Sequence, residues 1–205
     1  MGVFSKTRRQ GSGAGQNMAI RVKTKWQRKG PKTLADRASV VGVAIWRVAH
    51  ETGRHMEKEE FKITSDSQYT ALLTEIIAFL LQVADRIIYG QLSDEDRAAF
   101  INALGQHLAR TMQSNLTEYL GPGEHTGPFI ATLNARAQDY AEFDFGDNGP
   151  GYAFVRYLGE KISEVMATTD NKWVIEQVME IEAPEAYKTV RRVVGEVLGV
   201  RVPGG

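Results

Sequence analysis

The chain has 205 residues, 42% apolar and 24% charged, which is enough apolar material for one buried core and excludes a fibrous or wholly disordered polymer. Its formal charge is zero only in sum: residues 1 to 35 hold nine Lys and Arg and no Asp or Glu, leaving 16 basic against 25 acidic residues for the rest. The absence of cysteine excludes disulfides, thiolate nucleophiles and cysteine-ligated metals.

Residues 1 to 32 combine a Gly/Ser run at 11–15, a basic stretch around Trp26 and a Gly30-Pro31 break. So little apolar surface leaves ordering entropy uncompensated, and a flexible basic arm is expected ahead of a helical domain at 33–200 and a short tail at 201–205. Arg8, Arg9, Arg21, Lys23, Lys25, Trp26, Arg28 and Lys29 are its candidate polyanion-binding residues, the cations neutralising phosphates while Trp26 stacks on bases. Anionic lipid or an acidic protein surface, the domain's own included, attracts the same charges, and a solubilising tail without a partner is the plainest reading. The arm has the charge of a signal peptide without its apolar core, and Lys6 stands where a myristoylation signal needs Ser or Thr. A cytoplasmic protein is expected.

Thr33 as N-cap with Asp36 three residues on opens a helix running toward Glu60, with Leu34, Val41, Ile45, Val48 and Thr52 in its apolar stripe. Residues 69–91 are the most apolar stretch, and at about 100° per residue their Leu, Ile, Phe and Val cover most of the circumference, as in a helix surrounded by others. Ser67 is a ready cap for it. Ser93 followed by Asp94, Glu95 and Asp96 starts a third helix, in which Phe100, Leu104, Leu108, Met112, Leu116 and Leu120 recur every fourth residue until Gly121-Pro122-Gly123 stops it. A fourth helix is expected over 126–142, with Phe129, Ile130, Leu133, Ala137, Tyr140 and Ala141 inward. After an acidic, glycine-rich loop Pro150 falls in the first turn of a fifth; a break at 168–170 and Pro184 at the head of the final helix complete the chain. No convincing strand is present. The expected fold is all-α, a single bundle of six or seven helices around a buried central one.

The familiar catalytic patterns fail on spacing. Gly11 to Gly15 lacks the last glycine and the preceding strand of a nucleotide-binding turn. His50 and His55 are five residues apart, which turns the rings about 140° from one another rather than onto one metal. No Glu-x-x-His pair supports a di-iron bundle, and His107, bordering an apolar face, is a candidate haem ligand only by position. Asp144, Asp147 and Asn148 resemble a calcium loop whose twelfth position is Val155 instead of a carboxylate. No catalytic residue, metal site or cofactor is assigned.

What remains is a polar seam on the central helix: Glu75, Gln82, Arg86 and Tyr89 lie within about 60° of one another. Such a stripe is ordinarily a solvent-facing edge; turned inward, it is the best candidate for a ligand site. The favoured reading is a non-enzymatic interaction or accessory subunit, its acidic domain docking a protein partner and its arm contacting a polyanion or acidic surface. The alternatives are a ligand- or cofactor-binding bundle using the seam and nucleic-acid binding through the arm. Self-association is a further expectation, on the premise that Trp46 and Trp173 are exposed.

Overall fold

The computed structural model describes residues 30–166 and 173–203, and these form an all-α bundle with one two-residue strand pair. The arm residues proposed to bind polyanions, 8 to 29, and the break at 168–170 lie outside the described residues.

Helix α1 spans Leu34–Lys58 and begins with a capping box, Thr33 Oγ1 accepting from the Asp36 N–H at 3.1 Å while the Asp36 carboxylate accepts from the Thr33 N–H at 3.2 Å. Its buried stripe includes Val41, Ile45, Val48 and Thr52 together with Trp46, which is 0% exposed. Trp46 therefore offers no surface for self-association, while Trp173 is 73% exposed.

Helix α2, Asp66–Ile88, is the expected central helix, beginning three residues earlier than periodicity alone indicates. Its cap is Ser65 rather than Ser67: Ser65 accepts from the Gln68 N–H at 3.1 Å, and Gln68 in turn accepts from the Thr64 N–H and donates to the carbonyl of Val165. Leu72, Leu73, Ile77, Phe79, Leu80, Val83 and Ile88 are fully buried, each contributing about 1.5–3 kcal/mol on transfer from water. They reach the core in every direction because α2 packs against all of α1, α3, α4, α5 and α7.

Ser93 caps α3, Asp94–Leu120, whose four-residue ladder is buried from Phe100 to Leu116, whereas Leu120 is 60% exposed. In α4, Gly127–Ala141, Phe129, Leu133 and Tyr140 point inward; Ile130, Ala137 and Ala141 do not, because this helix meets the core along a narrower stripe than its composition suggests. Strands β1, Phe145–Gly146, and β2, Gly149–Pro150, then pair antiparallel. Pro150 thus sits opposite Phe145 instead of in a helical turn, and α5, Tyr152–Met166, starts two residues after it. Gly149 is required twice over, for its φ of +99° and because a Cβ there would run into the Tyr187 ring.

After Trp173 the chain forms α6, Val174–Gln177, a π turn at Val178–Glu182, and α7, Ala183–Leu198, as one continuous run. Pro184 follows directly on the π turn with no break in the helical run. The π turn carries Glu182, 5% exposed, to His55 of α1 at 2.6 Å and to Gln177 at 2.9 Å.

Candidate functional site

The joints between the helices around α2 are filled unequally. Between α4 and α5 the space is occupied by rings: Tyr140 stacks against Phe154 at 4.5 Å between centroids and meets Tyr157 edge-on at 5.1 Å, with Phe79 of α2 beneath. Between α3 and α4 no comparable set of rings intervenes. Both helices pack on α2 and make little contact with each other. Two cavities open in that joint, at opposite ends of one stripe of α2.

The first, of about 490 Å³, lies where α2 begins, α3 ends and α4 begins. Ala71, Met112, Leu116 and Phe129 form its apolar bed, and Asp66, Glu75 and Glu124 bring carboxylates to it without a lining Lys or Arg. Tyr119 donates its hydroxyl to Asp66, which holds the phenol's pKa up, and Thr126 donates to Glu124, which holds that carboxyl below its ordinary range. Tyr119 and Leu120 are exposed at the rim, 43% and 60%.

The second cavity, of about 520 Å³, lies at the other end, among Gln82, Arg86 and Tyr89 of α2, Arg97 and Asn102 of α3 and Ala137 and Ala141 of α4. Arg97 is paired with Asp85 at 2.5 Å and lies 4.9 Å over the Tyr89 ring. Gln82 is only 8% exposed and its carboxamide bonds to no other described residue.

The polar seam is thus not a solvent-facing edge along its length. Glu75 and Gln82 are buried, and Tyr89 alone is widely exposed, at 65%. Three of the four residues meet in the second cavity, and Glu75 is separated from them at the first. Glu75 is committed to structure: Arg136 of α4 grips it with two bonds of 2.7 and 2.8 Å, reaches Asp139 at 3.1 Å and stands 5.7 Å over the Tyr157 ring. Arg86 is partly committed too, donating to the carbonyls of Tyr140 and Ala141 at the unsatisfied end of α4. The seam is the floor of the α3–α4 joint and the clamp that holds α4 in place.

The chain matches no protein-family model, no curated protein and no solved structure. Function therefore has to be argued from this geometry. Among the described residues no group of three or more His, Asp or Glu is placed to hold a metal, and no helix is long and apolar enough to cross a membrane. His50, one of the two histidines of the α1 pair, is buried between Trp46 and Tyr69, whose hydroxyl lies 3.2 Å from His50 Nδ1. Asp66, Tyr119 and Glu124 at the first cavity, Arg97 and Asn102 at the second, and the apolar Ala71, Leu116 and Phe129 are among the site residues that sequence reasoning misses. The four-residue ladder marks Leu116 as apolar and inward, but core and groove look identical in such a pattern, and only the poor α3–α4 packing separates them.

Proposed function

We propose that this protein is a non-enzymatic, cytoplasmic binding module whose α3–α4 groove receives an amphipathic, basic segment of a protein partner. The observation that carries the reading is the first cavity: an apolar bed between helix ends, bordered by the carboxylates of Asp66 and Glu124 with no lysine or arginine in its lining, the third carboxylate, Glu75, being held by Arg136. A guest with apolar residues on one side and Lys or Arg on the other buries the first and pairs the second, a recognition mode that helical grooves use widely. Exposed Tyr119 and Leu120 extend the apolar contact, in keeping with the weight aromatic residues carry at interfaces. A photo-reactive residue replacing Thr70, in the groove, is expected to give a discrete protein adduct in cells. The same residue replacing Arg192, on the exposed side of α7, is expected to give none. Adducts that are identical from both positions, or that survive Asp66→Asn with Glu124→Gln, would show that the groove is not the docking surface.

Gln82 favours a second reading for the other end. A carboxamide that bonds to no other described residue, in a cavity shared with Asn102 and Arg97, suits a small polar ligand offering both donors and acceptors.

A further inference from the structure

The second cavity is lined by four charged side chains, and only two of them pair with each other. Arg97 of α3 gives both Nε and Nη2 to Asp85 of α2, at 2.8 and 2.5 Å. Arg86 turns to the α4 side, where Nη2 donates to the carbonyls of Tyr140 and Ala141, and it closes no ion pair with a described carboxylate. Asp94, in the first turn of α3, stands near Arg97 without closing an ion pair of its own. One cation and one anion are thus left on opposite walls. The floor between them holds Gln82, 8% exposed, whose carboxamide bonds to no other described residue. A buried amide without a partner keeps its full desolvation cost until a guest supplies the bond. We propose that the second cavity binds a free amino acid with an apolar side chain, its carboxylate on Arg86 and its ammonium on Asp94. The proposal rests on this cavity being a small-ligand site and names the class of ligand.

Three features argue for this ligand. The first is charge: the two cations and two anions of the lining cancel, so a guest that carries both signs and no net charge satisfies Arg86 and Asp94 together. A plain anion would face Asp85 and Asp94 as well as Arg86, and a plain cation would face Arg86 and Arg97. The second is hydrogen bonding. Gln82 and Arg86 are four residues apart on one face of α2, so both reach the same carboxylate, Gln82 donating to one oxygen and Arg86 to the other. Bonds to charged groups are the strong ones, and here they fix which way round the ligand lies. The third is the apolar wall. Ala98 and Ile101 of α3 face Ala137 and Ala141 of α4, and these mostly small residues leave room in about 520 Å³ for the ligand's side chain.

The test is an NMR titration of the isotope-labelled full-length chain into the millimolar range with L-leucine, with isocaproate, which lacks the ammonium, and with isoamylamine, which lacks the carboxylate. Leucine is expected to move the Gln82 side-chain amide and the backbone signals of Ala98 and Ala137 and to saturate. Each single-charge analogue should bind about tenfold more weakly or worse, as the loss of one bond to a charged group entails. Asp94→Asn, at an exposed position, should bring leucine down to the affinity of isocaproate. Gln82→Met, which keeps the side chain's size, should weaken leucine as well; if that variant does not fold, the three ligands on the unaltered chain decide. Isocaproate or isoamylamine binding as tightly as leucine, shifts that fall equally on Ala71 and Leu116 of the first cavity, or no response to leucine overturns the proposal. N-methylacetamide, a neutral donor and acceptor, separates it from the broader reading. If that probe moves the Gln82 amide while leucine does not, the cavity is a small-ligand site and the amino acid is wrong. If neither moves it, both readings fail.

Discussion

His50 and His55 stand on the same helix and face opposite electrostatic surroundings. His50 is 1% exposed, and burial, reinforced by Arg54, lowers its pKa from 6.5 to about 4. His55 is held above its ordinary value by its bond to Glu182. The signs follow. Below pH 6.5 the unfolded chain protonates His50 while the folded chain does not, so stability present above 6.5 is lost progressively down to about 4. The full loss is about 3 kcal/mol, from roughly 2.5 units at about 1.36 kcal/mol each. His55 acts the other way, its contribution present below pH 6.5 and lost as pH rises through its raised folded value. Urea denaturation between pH 4 and 7 should show His50→Gln flattening the acid slope. A slope unchanged by that variant would mean that the ring is not buried uncharged. His50 stands four residues after Trp46 on one helix face, and the ring centroids are 5.1 Å apart. Its bond to Tyr69 was not legible in sequence, because a contact across 19 residues between two helices leaves no local signature.

At the scale of the element, α4 is held to α2 by a charge clamp as well as by the burial of Phe129, Leu133 and Tyr140. Arg136 and Glu75 are a bidentate pair with side chains 17% and 9% exposed, and each would be left buried without the other. Arg136→Met is therefore expected to cost about 3 kcal/mol, within the range for breaking a buried pair, and Glu75→Leu a comparable amount. The double variant should recover most of the loss, since an apolar pair of similar volume leaves no stranded charge. A double-mutant cycle by thermal denaturation checks this; strictly additive losses would show that the two side chains do not act as a pair. Most helices and their faces were legible because periodicity and caps are local; the exceptions are Leu120 and the outward Ile130, Ala137 and Ala141 of α4. Ser65 as the cap of α2 was legible in principle, since Ser65 and Gln68 have capping-box spacing, but Ser67 lies closer to the apolar run and competes for the role. The seam's inward orientation was not legible, because which neighbour covers a stripe is decided by the packing of α4 and not by α2's own residues.

The whole molecule places one heavily buried helix within a ring of others and leaves the ring loosely closed at one joint. Composition foretold the core and the charge separation; the joint itself follows from the relative bulk of Tyr140, Phe154 and Tyr157, which fill the space on the other side of α4. Between α7 and α1 the ring is closed by direct packing, to which the π turn adds the Glu182–His55 bond, and this turn has a consequence for how the chain tolerates change in length. Val178–Glu182 spends about one residue more per turn than the α-helical segments on either side. The turn therefore sets the phase of everything after it: removing one residue there rotates α7 by about 100°, swinging Val190 and Val194 off the core and Glu182 away from His55. Deleting Glu180 should unfold the protein or lower its melting temperature by more than 10 °C, on the order of the loss of two buried valines and the Glu182–His55 contact, whereas Glu180→Ala, at an exposed position, should leave it within a degree or two. Chain length at this point is specified more tightly than residue identity, a constraint on insertions and deletions that no single side chain reveals.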